Sequence, residues 1–289
     1  MTVSEAFEAF KSELELPDRK QREAAAAQQD IRARVAVYLD VPSSFLSGSY
    51  ARYTKIFPLK DIDVIMVRNR ERVGLTSDGS GVPAVQALNE VVEAVRRAYP
   101  SSATITKQAR SVNVQLSGRD FGFDLIPAWL RRPDGYWIPD AESASWLPTD
   151  PDAHARFMTQ ANERCGGKLK PVIKMLKHWS RNNYDLLGSF HLELLCARAF
   201  ESWELPNYQI GMATSLVYLR DHASEQMVDP IYGISRVDKA LSTAEQVKLA
   251  NRIIGDASNA LDTLTMENGG RHSDAIEKWK YIFVNGFPS

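Results

Sequence analysis

Apolar residues recur at two spacings along this chain, and each spacing predicts a different element. Residues 84–99 carry them at the three- and four-residue intervals of an amphipathic helix. Residues 3–14 and 19–39 also read as helices, the second rich in Ala, Gln, Arg and Glu, with Pro17 at the break between them. The Gly- and Ser-rich run 76–83 is a loop by composition.

A two-residue alternation marks the predicted strands. Residues 61–67 become apolar and β-branched after two carboxylates, as expected of a largely buried strand. In residues 111–116, Val and Leu alternate with Asn and Gln, which is typical of a half-buried strand. Residues 103–106 and 121–126 are further candidates. The segment 130–150, with its Pro, Gly, Tyr and Trp residues, is predicted to be an ordered connection.

Beyond residue 150 the chain is predominantly helical. Helices are predicted over residues 168–180, 208–221, 243–264 and 275–283. The length suits one large domain or two tightly packed ones. We therefore predict two lobes, residues 1–150 including the long N-terminal helix, and residues 151–289.

Composition narrows the class of protein. Of 289 residues, 44% are hydrophobic and 25% are charged, with a net charge of −1, which is ordinary for a soluble globular protein. No apolar run approaches the roughly 20 residues of a membrane span and the N-terminus lacks a signal-peptide pattern, so we expect a cytoplasmic protein without a membrane partner. The near-neutral charge argues against extended nucleic-acid binding but is compatible with small nucleotides. Cys165 and Cys196 are expected to fill the core.

Candidate chemistry begins with two carboxylates that flank one isoleucine. On a strand, Asp61 and Asp63 project from the same face, where two anions repel unless a cation lies between them. Mg²⁺ accepts a few carboxylate oxygens together with waters and phosphate oxygens. Upstream, Gly48 lets the backbone approach an anion closely, and the Ser49 amide and hydroxyl can donate to it. A simple turn and a solvated acidic pair are the alternatives.

A third carboxylate, Asp124, lies among apolar neighbours in residues 121–129. An unpaired buried carboxylate is costly, so Asp124 should be paired, protonated or bound to a metal. A structural Asp that accepts from a loop amide is the alternative.

The order of these motifs resembles a known superfamily. Gly48-Ser49 followed by Asp61-Ile62-Asp63 resembles the signature of polymerase-β-like nucleotidyltransferases, and Gly-Ser-Tyr-x-Arg-x-Thr over residues 48–54 looks like the cyclic-oligonucleotide synthases. These include cyclic GMP-AMP synthase, its bacterial relatives and the related 2′-5′ oligoadenylate synthase. The resemblance implies an α/β nucleotidyltransferase lobe with a mixed sheet, a C-terminal helical lobe, and an active site in the cleft between them.

The resemblance also implies roles for the carboxylates. Asp61 and Asp63 would bridge two Mg²⁺ ions, with Mn²⁺ as a possible substitute. Asp124 matches the family's third carboxylate, which arrives from a later strand. It would bind the ion that activates the acceptor hydroxyl and could help take the proton, with pyrophosphate leaving.

A second informative segment follows residue 168. Lys170, Lys174 and Lys177 share one helix face, which is usually a solvated face. The segment looks like the family helix whose basic residues hold the donor triphosphate, and this resemblance gives Lys174 and Lys177 that role. Ser189 and Phe190 match the family's next motif, where a hydroxyl touches the triphosphate and a ring stacks on the base. Phe190 as ordinary core is the alternative.

The resemblance predicts template-independent condensation of ATP and other nucleoside triphosphates into a cyclic di- or trinucleotide, in anti-phage signalling through a separate effector. An activating partner of the HORMA type is possible. Residues 228–236 resemble the bacterial enzymes' Asp-Pro segment, although an Asn common shortly after it is absent. Two alternatives stay open: a nucleotidyltransferase that makes linear oligonucleotides or modifies a tRNA or protein, and a catalytically silent nucleotide-binding subunit.

Overall fold

A computed structural model describes residues 1–69 and 83–288. The predicted loop at 76–83 therefore lies outside the described residues, apart from Pro83. In chain order the described elements are α1 (Val3–Glu13), α2 (Asp18–Leu39), β1 (Ser43–Leu46), α3 (Gly48–Ala51), β2 (Asp61–Val67), α4 (Ala84–Ala98), β3 (Ala103–Lys107), β4 (Val112–Leu116), β5 (Gly122–Leu130), β6 (Tyr136–Asp140), β7 (Ser145–Thr149), α5 (Pro151–Arg164), α6 (Leu169–Asn182), α7 (Ser189–Ala199), α8 (Tyr208–His222), α9 (Thr243–Asn268) and α10 (His272–Phe283).

The strands form one mixed sheet in the order β1-β2-β5-β4-β3, with β6 added beside β5 and β7 beside β6. Strands β2 and β5 are parallel, and the other pairs are antiparallel. This arrangement confirms the predicted α/β class and mixed sheet. The parallel pair is the part that matters for function, because it brings two separate carboxylate-bearing segments side by side.

Alternation along β2 divides its side chains between two faces of the sheet. Ile62, Val64 and Met66 are buried against helices α2 and α4, in one core with the inward residues of β4 and β5. Ile65 and Val67 face the opposite side and pack with Ala128 of β5. Since Asp61 and Asp63 share the parity of Ile65, they lie on the face away from α2 and α4.

The prediction for residues 130–150 was incomplete, because this connection contains the antiparallel hairpin β6–β7. Pro139 and Pro148 lower the strand signal in the sequence, since proline cannot donate to a ladder. The hairpin is anchored by the predicted aromatic residues. Trp146 packs edge-on against Trp129 of β5, with ring centroids 4.7 Å apart.

The helices after residue 150 build a second core that also includes α1. Phe7 and Phe10 of α1 pack against Phe283 and the ring of Phe287, and Phe7 lies 4.9 Å from Trp279. We keep a lobe boundary near residue 150 as a proposal. By these contacts α1 packs in the helical core, whereas α2 packs against the sheet.

The predicted helices and strands match the observed elements within a few residues at their ends. Cys165 and Cys196 are both buried and unpaired, and burial raises the pKa of each thiol. Among the described residues, no helix combines the length and apolar character needed to cross a bilayer.

Candidate active site

The predicted catalytic carboxylates converge on one face of the sheet. Asp63 of β2 and Asp124 of β5 are register partners across the parallel pair, and Asp61 is the partner of Gly122. A Cβ atom at position 122 would lie 2.6 Å from Asp61 Oδ1 and 2.9 Å from Gln115 Oε1. Gly122 therefore provides the space that the Asp61 carboxylate occupies.

Asn113 of β4 joins the acidic row from the next strand. It is the register partner of Asp124. Its Nδ2 atom donates to Asp124 Oδ1 at 2.9 Å and to Asp61 Oδ1 at 3.0 Å. One amide thus holds two of the three carboxylates in place. The alternation of residues 111–116 predicts only that Asn113 lies on the polar face of a strand. That this face meets Asp124 depends on the register of β4 with β5.

Electrostatic repulsion within the row is substantial. Burial, together with the charges of Asp124 and Asp61, raises the pKa of Asp63 to about 6. Burial and the charge of Asp61 also raise the pKa of Asp124, against the hydrogen bond from Asn113. Across residues 1–69 and 83–288, no three His, Cys, Asp or Glu side chains stand close enough to enclose a metal ion. The row nevertheless has the donor type and the unbalanced negative charge that suit a hard divalent cation.

The Gly-Ser turn packs directly on Asp63. The Ser47 N–H donates to the Asp63 carbonyl at 2.9 Å, and the chain then turns into α3. Gly48 has φ +60°, and a Cβ there would lie 1.7 Å from Asp63 Oδ2. Only glycine fits, for reasons of both backbone conformation and space. The close approach sets the backbone of the predicted anion site next to the predicted metal ligand.

A pocket of about 310 Å³ opens beside this turn, between the two lobes. The sheet lobe contributes Gly48, Ser49 and Asp63 to its lining, and the helical lobe contributes Ser189 and Phe190. The structure therefore brings together five of the predicted site residues in one cavity. The cavity agrees with the predicted cleft between lobes.

Phe190 is half-buried in this pocket. The Arg52 guanidinium lies over its ring, with Cζ 4.6 Å from the centroid, and His154 approaches at 5.0 Å in an edge-on arrangement. His154 Nε2 is 2.7 Å from Asp229 Oδ2. Asp229 also accepts the N–H of Ile231 at 2.7 Å, so it organises the segment that resembles the Asp-Pro motif.

The predicted phosphate ligands Lys174 and Lys177 do not line this pocket. Lys177 is buried, and its Nζ donates to the Thr54 carbonyl at 3.0 Å, to Thr54 Oγ1 at 3.1 Å and to Glu193 Oε1 at 2.6 Å. These contacts use all three ammonium donors within the protein, and the role of Lys177 in triphosphate binding stays a prediction. Lys174 is also buried and forms an ion pair with Glu15.

The chain matches a known protein family over the segment that holds these motifs. Residues 1–162 match the family described as the Second Messenger Oligonucleotide or Dinucleotide Synthetase domain. A probable cyclic nucleotide synthase from Bacillus cereus is 25% identical to this chain, over 84% of this chain and 81% of that protein. A cyclic AMP-AMP-AMP synthase from Acinetobacter is 26% identical over 100% of this chain and 86% of that protein.

Solved structures share the fold at lower identity. Escherichia coli CdnC with ATP superposes with a TM-score of 0.77 at 17% identity, covering 99% of each chain. The apo form of Vibrio cholerae DncV gives a TM-score of 0.82 at 12% identity, covering 100% of this chain and 96% of that one. The family match covers more than half of the chain and includes the Gly-Ser turn and all three carboxylates. The protein therefore belongs to the bacterial second messenger oligonucleotide or dinucleotide synthetases, a family of nucleotidyltransferases.

Proposed function

We propose that the protein condenses nucleoside triphosphates, without a template, into a cyclic di- or trinucleotide and releases pyrophosphate. The observation that carries the proposal is the row of Asp61, Asp63 and Asp124 on one sheet face, in contact with the Gly48-Ser49 turn. The names of two relatives, a cyclic nucleotide synthase and a cyclic AMP-AMP-AMP synthase, point the same way.

Divalent cations fit the acidic row. Asp61, Asp63 and Asp124 would hold two Mg²⁺ ions, or Mn²⁺ in their place. Bound there, such ions supply positive charge to the triphosphate and lower the pKa of the acceptor hydroxyl. Burial and the charges of Asp124 and Asp61 raise the pKa of Asp63, and a bound cation would offset this unbalanced negative charge.

The chain's own groups account for binding and orientation. The backbone at Gly48 and the Ser49 amide and hydroxyl would donate to the triphosphate, and the exposed Ser189 would donate from across the cleft. Phe190 would stack on a nucleobase, because its ring lines the pocket next to these donors. Asn113 would keep Asp61 and Asp124 aimed at the same point. Lys174 stays a candidate for the triphosphate, provided that its ion pair with Glu15 opens.

The wider setting is proposed by analogy with the family. The product would activate a separate effector in cytoplasmic anti-phage signalling, with ATP and other nucleoside triphosphates as substrates. A relative of the same fold, Escherichia coli CdnC, has been solved in complex with a HORMA protein, at a TM-score of 0.74. A HORMA-type activator is therefore a reasonable partner to supply in assays of this protein.

The test is incubation of the purified protein with all four ribonucleoside triphosphates and Mg²⁺ or Mn²⁺, followed by phosphatase treatment and mass spectrometry. We expect a phosphatase-resistant cyclic product that disappears in the Asp61→Asn, Asp63→Asn variant. Asp262→Asn is the matched control, since that carboxylate pairs with Lys278 on the surface of the helical lobe. A linear product, or label transferred to tRNA or protein in cell extract, would contradict cyclisation. A product that survives the double substitution would contradict the assigned site.

A further inference from the structure

A buried ionic network beside the candidate pocket links residues 52–54 with helices α6 and α7. Glu193 of α7 has a fully buried side chain. Its carboxylate accepts from Arg52 Nε at 2.7 Å and Nη2 at 3.1 Å, from Lys177 Nζ at 2.6 Å and from Thr54 Oγ1 at 2.9 Å. Arg52 and Thr54 follow the Gly-Ser turn of the sheet lobe, whereas Glu193 and Lys177 belong to helices of the other lobe.

Arg52 is the member of this network that is related to the acidic row. Its backbone N–H donates to the Gly48 carbonyl at 3.1 Å, so Arg52 lies one turn beyond the glycine that packs on Asp63. Arg52 and Asp63 line the same pocket. Although burial opposes it, the charges of Glu193 and Asp63 together raise the pKa of Arg52. The guanidinium therefore lies within the field of two carboxylates while both of its hydrogen bonds go to Glu193.

Whether Arg52 pairs with Glu193 or with Asp63 affects metal binding at Asp63. A bidentate arginine–carboxylate pair is strong and fixes the plane of the guanidinium. Besides Glu193, Asp63 is the carboxylate whose charge acts on Arg52, so an Arg52 side chain without Glu193 could pair with Asp63. An ion pair there would occupy Asp63 oxygens and cancel the negative charge that attracts a cation.

We propose that Glu193 is a positioning residue that holds Arg52 away from Asp63 and so keeps the Asp63 carboxylate open to a divalent cation. The inference rests on the proposed function, because it takes Asp63 as a metal ligand. Glu193 then has a role that its burial alone does not require. A fully apolar contact at this position would serve packing equally well.

The test is Mn²⁺ binding to the nucleotide-free protein, measured by electron paramagnetic resonance of the free ion. Glu193→Gln keeps the size of the side chain and removes the charge, and we expect it to weaken Mn²⁺ binding at least about tenfold. The double variant Arg52→Gln, Glu193→Gln removes the competing guanidinium as well. Its Mn²⁺ affinity should return to within about threefold of the unmodified protein.

A merely structural role for Glu193 predicts the opposite order, in which the double variant is at least as impaired as Glu193→Gln. That order, or unchanged Mn²⁺ affinity in Glu193→Gln, would overturn the inference. Circular dichroism at each step checks folding. If Glu193→Gln does not fold, Glu193→Asp replaces it: the shorter carboxylate keeps the charge but loosens the bidentate pair, and a smaller weakening that Arg52→Gln reverses is expected.

Asp63→Asn separates this inference from the proposed function. Mn²⁺ binding that is lost in Asp63→Asn but unchanged in Glu193→Gln would contradict the role of Glu193 and support the metal site. Mn²⁺ binding that Asp63→Asn does not affect would overturn the proposed metal site and the role of Glu193 with it.

Discussion

Asp63 and Asp124 are register partners on the adjacent parallel strands β2 and β5. The two carboxylates come from segments 61 residues apart in sequence, and their charges repel across the strand pair. A fold selected only for stability would not retain this repulsion, because uncharged residues would fit the same positions. The arrangement instead concentrates negative charge beside the pocket that Asp63 lines.

Gly122→Ala should abolish most activity while leaving the protein folded. The added methyl would lie 2.6 Å from Asp61 Oδ1 and would displace that carboxylate. A misplacement of about 1 Å at a reacting centre costs about a hundredfold in rate. Product formation by mass spectrometry gives the measurement. Gly255→Ala is the control, since a Cβ there meets nothing within 4 Å; equal activity losses in both variants would contradict the prediction.

Asn113→Ala should lower turnover about tenfold to a hundredfold with little change in melting temperature. The substitution frees Asp61 and Asp124 from their shared amide donor, so their relative placement is no longer fixed. Steady-state rates at saturating Mg²⁺ are the readout. Asn89→Ala, which removes an exposed contact to Lys107, should behave like the unmodified protein. A rate unaffected by Asn113→Ala would exclude a positioning role for this residue.

Phe190→Ala should raise the KM for nucleoside triphosphates more than it lowers kcat. Stacking of a base on an aromatic ring contributes about 1–3 kcal/mol, which corresponds to about a 5- to 160-fold change in KM. Phe190→Tyr keeps the ring and should stay within about threefold of the unmodified KM. An unchanged KM in Phe190→Ala would support the alternative in which this ring is only core.

Lys177→Met and Lys174→Ala should separate structural support from substrate binding. Removing Lys177 breaks a buried ion pair with Glu193 and should lower the free energy of unfolding by about 3 kcal/mol. Lys174→Ala should change stability less and raise the KM for ATP. Chemical denaturation and initial rates measure the two effects. A Lys177→Met protein of normal stability and impaired triphosphate binding would support the role first predicted from the sequence.

Acid should remove part of the stability of the inter-lobe network. Burial alone would raise the pKa of Glu193, but Arg52 and Lys177 outweigh it and lower the pKa from 4.5 to about 2. Unfolding therefore takes up a proton between these values. The stabilisation, at most about 3 kcal/mol, is complete above pH 4.5 and is lost as the pH falls through 2. The stability gap between the unmodified protein and Glu193→Gln should shrink from pH 5 to pH 2; a constant gap would contradict the assigned pKa shift.

Much of this site was predictable from sequence because local rules fix it. The two-residue period of a strand places Asp61 and Asp63 on one face wherever the strand lies. The close backbone approach that glycine permits made Gly48 a candidate for an anion site. The apolar run around Asp124 indicated that its charge needs a partner. These features depend on neighbouring residues only, so the sequence determined them together with the helices, the main strands and the α/β class.

The tertiary structure decided which residues meet across elements. Gly122 and Asn113 gained their roles from the register of β5 with β2 and β4, and register is set by long-range pairing that one sequence does not display. Lys177 lies on the predicted helix face, and there its ammonium group contacts Thr54 and Glu193. Periodicity identifies a face of a helix; only packing determines whether that face meets substrate, solvent or another buried charge.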